Sequence, residues 1–232
     1  MHPITHAQTR PDHPAIVMAG SGETVTYGEM DAYANRFAQL MRARGLKRGD
    51  HVAVLMENSA DYLQIVWGSQ RAGTMIVPIS TRLTVPEICY ILKDAGVKLL
   101  ITTRAFDEVL TGIRKTCADV PLLVVGGGGG EDYRAALAAQ SSEPIADQAP
   151  GQYMLYSSGT TGRPKGVRPA PPESDDILAT NPLVGLAVMG AGWPSDGSMV
   201  YLSPAPLYHA APLGWCTTAH RLGATVIVME KF

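Results

Sequence analysis

Short apolar, β-branched runs separated by amphipathic segments set the strongest limit on what this chain can fold into. Residues 51–56, 74–79, 98–103 and 120–125 are such runs, and stretches with helical periodicity fill the gaps between them. The repeat of roughly 25 residues per pair suits β–α crossover units and not a helical array. Thr26 and Glu29 form a capping box that opens a helix ending near Gly45, with Met30, Tyr33, Ala34, Phe37 and Met41 on its core face. A second helix is expected over 59–72, stopping at Gly73. A third starts at the Thr84–Glu87 box and closes at Gly96, and a fourth covers 106–118. Further on, the pattern predicts strands at 152–156, 165–168, 198–203 and 224–229 and a helix at 210–222. The fold class is α/β, with layered sheets flanked by helices, in one unit with a subdivision near residues 169–175.

Composition narrows the function classes. A formal charge of -2 over 232 residues gives no electrostatic case for nucleic acid or an anionic membrane. No apolar run reaches the roughly 20 residues that span a bilayer, and the N-terminus lacks the apolar centre of a secretory signal. Cys89, Cys117 and Cys216 are widely spaced and odd in number, which favours free thiols in a reducing compartment, hence the cytoplasm, over a disulfide framework. They lack metal-ligand spacing. The five glycines at 126–130 follow a strand and precede a helical pattern, yet a glycine homopolymer matches almost any nucleotide fingerprint and reads as a surface loop.

Chemistry concentrates at residues 156–167, YSSGTTGRPKGV. Gly159 and Gly162 leave backbone N–H groups free to converge on an anion. Ser157, Ser158, Thr160 and Thr161 add rotatable donors, Arg163 and Lys165 add charge, and Pro164 stiffens the segment. Such a loop suits phosphate oxygens. It is not a Walker-type P-loop, because Lys165 follows a proline and precedes Gly166-Val167.

The loop closely resembles the phosphate loop of the AMP-forming acyl-adenylating enzymes, the superfamily of acyl-CoA synthetases, luciferases and peptide-synthetase adenylation domains. The opening RPDHPAIV…GETVTYGEMDAYANRFAQLMRARGLKRGDHVAVLMENSADYLQIVWGSQRAGTMIVPIS, the later LTVPEICYILKDAGVKLLITT, and YLSPAPLYHAAPLGW resemble an acyl-CoA synthetase in the same order. KGVRPAPPE departs from the family's usual Thr/Ser-His pair after the loop's valine, which puts the anchoring of the loop's exit in question.

The resemblance implies part of the large N-terminal domain of an adenylate-forming enzyme that joins a carboxylic acid, fatty or otherwise hydrophobic, to a thiol. ATP, Mg²⁺ and coenzyme A are the implied cofactors and co-substrates. It assigns Ser157, Ser158, Gly159, Thr160, Thr161, Gly162 and Lys165 to the ATP phosphates, with Lys165 and His209 as catalytic residues. Tyr208, His209 and Gly214 fall at the acyl site, although core packing accounts equally for the 210–215 stretch, and a histidine in a helix's first turn accounts for His209 by spacing alone. The metal ligands are unknown. The family's Tyr-Gly-x-Thr-Glu segment, ribose-binding aspartate and C-terminal domain are not found in residues 1–232, so the expectation is an incomplete adenylation domain, inactive by itself. A non-catalytic nucleotide- or acyl-binding module is the alternative.

Overall fold

The computed structural model describes residues 2–157, 163–179 and 181–231. A short helix α1 (Ile4–Thr9) precedes strands β1 (Pro14–Met18) and β2 (Thr24–Thr26) and helix α2 (Tyr27–Ala43). Then come β3 (His51–Leu55), α3 (Ala60–Ala72), β4 (Met75–Pro78), α4 (Val85–Asp94), β5 (Val97–Thr103), α5 (Asp107–Thr116), β6 (Leu122–Val125), β7 (Glu131–Asp132) and α6 (Tyr133–Ala138). The remainder is β8 (Gln152–Tyr153), β9 (Leu155–Ser157), β10 (Lys165–Val167), α7 (Pro182–Gly185) running into a π-turn (Leu186–Gly190), β11 (Val200–Ser203), α8 (Ala210–Arg221) and β12 (Thr225–Val228).

Two sheets carry the architecture. The larger has six strands in the order β7-β6-β5-β3-β4-β8, every neighbouring pair parallel. Alternate residues of its central strand serve opposite faces, as the two-residue period of a strand demands. Val52 and Val54 join Phe37, Tyr62 and Trp67 of α2 and α3, while Ala53 and Leu55 join Ile88 and Leu92 of α4 and Leu110 and Ile113 of α5. The smaller sheet, β11-β12-β1-β2, buries Ile16, Val226 and Val228 in the same core as α2 and α3, which therefore lie between the two sheets. The two predicted capping boxes form: Glu29 N–H donates to Thr26 Oγ1 while Glu29 accepts from Thr26 N–H, and the Glu87 carboxylate accepts from the N–H and hydroxyl of Thr84.

Three features differ from the sequence reading. The strand expected over 152–156 is two strands: β8 extends the large sheet, and after Met154 the chain turns into β9, which pairs antiparallel with β10 as a separate hairpin. Strand β1, absent from the reading, pairs in parallel with β12 through Ile16 and Val226, a partner no local pattern announces. The expectation of three free thiols is corrected: Cys89 and Cys117 are joined in a disulfide with their Cα atoms 6.0 Å apart, and only Cys216, buried in α8, remains free. The α4 and α5 crossovers bring the two thiols together across one sheet face, which sequence spacing does not reveal.

Candidate functional site

The β9–β10 hairpin, the β4–α4 connection and the start of α8 enclose a cleft of about 580 Å³. Its walls combine apolar Pro78, Leu83, Ile91, Leu155 and Val167 with polar Ser80, Ser157, Arg163, Tyr208 and His209. An apolar slot with a few convergent polar groups is the usual form of a small-molecule site.

The hairpin is held from three directions. Burial and the adjacent Asp94 carboxylate keep the Tyr156 hydroxyl above its ordinary pKa, so it stays protonated and donates to Asp94 Oδ2 at 2.6 Å, tying β9 to the end of α4. The Arg163 guanidinium stands over the Tyr90 ring, 5.8 Å from its centroid, on the same helix. At the exit, where the sequence departs from the family, Arg168 donates to His51 Nε2 at 3.2 Å, and Gln152 donates to Ala170 O at 2.5 Å. His51 Nδ1 is bonded to Ala95 O, which leaves Nε2 as the acceptor. Gly166 is needed because a Cβ there would stand 2.8 Å from Tyr156 Cζ and 2.5 Å from Met154 Cε.

Ser157 ends β9 at the cleft, paired in register with Lys165, which is exposed at the start of β10. The hairpin therefore carries both residues at its loop end. Ser158, Gly159, Thr160, Thr161 and Gly162 lie outside the described residues. Tyr208 and His209 face the same cleft, their rings 4.6 Å apart. His209 is the N-cap residue of α8 by backbone geometry but makes no side-chain cap bond, so its imidazole is not consumed by the helix. The first backbone N–H groups of α8 end beside the cleft, a setting that favours negative charge. Gly214 does not line it: one turn into α8 it is buried, and a Cβ there would touch Leu183 of α7 at 3.4 Å.

Asn58, which no motif singled out, fixes the loop that delivers these two residues. Its Nδ2 donates to Ala205 O at 3.0 Å and to Met229 O at 2.9 Å, while Leu207 N–H donates to Asn58 Oδ1 at 2.8 Å. The partners set the amide's orientation, and the side chain is buried. Its position directly after the apolar run of β3, at the end of a parallel strand where such sheets place their ligands, is the signal that could have found it.

Among the described residues no group of three or more His, Cys, Asp or Glu side chains is placed to hold a metal ion. Glu87, the carboxylate that borders the cleft, is spent on Thr84. These residues do not fit a protein-held Mg²⁺, and no step below runs through one. Among the described residues, no helix is long and apolar enough to cross a membrane.

A parallel six-stranded sheet with helices on both faces, and a hairpin and cleft beside its strand ends, defines an α/β domain. The chain belongs to the AMP-binding enzyme family, whose sequence model matches residues 4–232. It is 33% identical over 233 residues to the long-chain-fatty-acid–CoA ligase FadD13 of Mycobacterium tuberculosis, covering 97% of this chain and 44% of that protein. It is 35% identical over 237 residues to the fatty acid–[acyl-carrier-protein] ligase ScoC of Streptomyces coeruleorubidus, covering 98% of this chain and 42% of that one. The crystal structure of the N-terminal domain of FACL13 from Mycobacterium tuberculosis superposes with a TM-score of 0.79 at 30% identity, over 99% of this chain and 56% of that one. The chain thus spans less than half the length of these two curated relatives.

Proposed function

We propose that residues 1–232 form the phosphate- and acyl-binding part of an acid–thiol ligase that activates a hydrophobic, fatty-type carboxylic acid with ATP. In that reaction a carboxylate oxygen bonds to the α-phosphorus of ATP, the bond to the β-phosphate oxygen breaks, and pyrophosphate leaves with the electron pair. A thiol, that of coenzyme A or of a carrier protein, then attacks the acyl carbon and AMP departs. The observation that carries the reading is that Ser157, Tyr208 and His209 line one cleft, with Lys165 paired to Ser157 at the base of the loop that joins β9 to β10.

Two anionic reactants must meet here, so positioning and charge neutralisation are the main tasks of the protein. Lys165 and the loop's hydroxyls meet the phosphates, Arg163 supplies a second cation braced on Tyr90, and His209 stands at the carboxylate end with the α8 N–H groups behind it. The apolar wall of Pro78, Leu83, Ile91 and Leu155 takes up the acyl chain. By itself this part binds ATP weakly and forms no acyl-CoA, since adenine contacts and the wall that excludes water come from the remainder of an adenylation domain.

The test uses a non-hydrolysable acyl-adenylate mimic with hydrogen exchange on this chain. Protection of residues 155–168 and 207–212 is expected, and Lys165→Ala weakens binding of a non-hydrolysable ATP analogue, which carries the phosphates assigned to it, by about tenfold or more, the worth of one charged contact. In a longer protein carrying these residues and the rest of a ligase, the same variant slows ATP–pyrophosphate exchange with the fold intact. Protection elsewhere, or an unchanged affinity in Lys165→Ala, overturns the assignment. Binding without exchange in the longer protein identifies a non-catalytic module instead.

A further inference from the structure

We propose that Cys89 and Cys117 form a redox site whose state governs how firmly α4, one wall of the cleft, is held. Glu87 and Ile91 line the cleft from one face of α4, four residues apart and so one turn apart. Cys89 lies midway between them on the opposite side of the helix, where it is bonded to Cys117, the residue capping the C-terminus of α5. The bond therefore grips the back of the helix whose front forms the wall. The two helices also touch one turn earlier, where a Cβ on Gly112 would stand 2.9 Å from Val85 Cγ2. Val85 meets Gly112 and Cys89 meets Cys117, so α4 and α5 run side by side in the same direction, and the covalent bond is the last rung of that contact.

Reductant has a way in. Cys89 is buried, but Cys117 is only half-buried and borders a pocket of about 300 Å³ formed with Ile113, Arg114 and Pro121. Arg114 lines the same pocket and places a positive charge on the path of an incoming thiolate. A dithiol reductant supplies the electrons. Its thiolate attacks Cys117 Sγ, the S–S bond breaks, and the electron pair leaves on Cys89 Sγ, which takes up a proton. The reductant's second thiolate then displaces Cys117 Sγ, closing a cyclic disulfide on the reductant and leaving two protein thiols. The pair is a bond in an oxidising setting and a dithiol in a reducing one, which is how disulfides in reducing compartments act as sensors. Cys216 provides an internal control: buried in α8, its thiol is pushed up to about 11 by that burial and does not exchange.

The link closes a loop between residues 28 apart, and opening it returns chain entropy to every fluctuation that frees α4 from α5. The remaining contacts of Ile88 and Leu92 with Leu110 and Ile113 keep the fold together, so the change is local. The protein is equilibrated with oxidised or with reduced dithiothreitol, then either denatured and alkylated with iodoacetamide or followed by hydrogen exchange. The oxidised sample should take up one alkyl group and the reduced sample three, and reduction should speed exchange of the α4 amides by about tenfold or more. The double variant C89S/C117S should exchange like the reduced wild type, and C216S should keep the full response. Three alkyl groups on the oxidised sample, or α4 exchange that ignores reduction, would overturn the proposal. Neither readout depends on the cleft being an adenylating site.

Discussion

Asn58 is the residue at which fold and site are most tightly coupled. One amide satisfies two carbonyls and one N–H of the segments leading to His209 and away from β12, and the Asn58 side chain is itself buried. Removing it strands one buried N–H and two half-buried carbonyls, and Asn58→Ala should cost about 2–4 kcal/mol of stability, at roughly 1 kcal/mol for each bond. Asn58→Asp keeps the acceptor for Leu207 N–H but turns a carboxylate oxygen toward two carbonyls, so the isosteric change should be no milder at neutral pH. Urea unfolding of the two variants checks both statements, and a loss below about 1 kcal/mol for Asn58→Ala would refute the clamp. The variants should also weaken the acyl-adenylate mimic, since Tyr208 and His209 follow directly on the anchored segment.

Helix α1 and the residues after it are held to the end of α8 through histidines and arginines. His2 packs edge-on against Trp67 with ring centroids 5.1 Å apart, His6 Nε2 bonds to Arg221 O at 3.0 Å, and Arg10 donates to Gly223 O at 2.7 Å. Trp67 Nε1–H donates to His220 Nδ1 at 2.9 Å, so the proton of neutral His220 sits on Nε2, which donates to Ala15 O at 3.0 Å. Burial lowers the pKa of His2, His6, His13 and His220, with neighbouring Arg10, Arg71 and Arg221 adding to the effect on the first three, and His220 falls to about 4. Each group binds protons more readily when unfolded. Stability is therefore full above the ordinary histidine value of 6.5 and declines as pH falls from there toward 4. For His220 the decline reaches about 3 kcal/mol at the acid end. Glutamine at this position can accept from Trp67 and donate to Ala15 without titrating, so urea midpoints of His220→Gln between pH 7.5 and pH 4.5 should slope less steeply than those of the wild type; equal slopes would contradict the assignment. The helices and central strands of this region were legible because capping boxes and apolar runs are local signals. The histidine cluster was not, because His2, His6 and His220 meet only after β1 has found β12. The 156–167 and PLYH segments stood out as motifs, but the cleft that Ser157, Arg163, Tyr208 and His209 share, the Asn58 clamp and the Cys89–Cys117 bond are set by crossovers that no spacing encodes.

At the scale of the whole molecule, two parallel layers differ in how well they are covered. The large sheet has helices on both faces, α2 and α3 on one and α4 and α5 on the other, as parallel sheets require. The small sheet has its inner face on the core, but its other face carries Leu202, Ile227 and Val17 in one row, each in register with the next across β11, β12 and β1. Leu202 is 53% exposed and Val200, on the same face of β11, is 61% exposed, while β11 is an edge strand of the sheet among the described residues. An apolar row beside an unpaired strand edge is a surface on which chains associate. The 232-residue chain should therefore sediment faster as its concentration rises, and the double variant Val200→Lys/Leu202→Lys should remain monomeric over the same range. Because both side chains face outward, the lysines remove no core contact and should shift stability by no more than about 0.5 kcal/mol. Concentration-independent sedimentation of the wild type, or association that survives both lysines, would show that this face does not act as an adhesive surface.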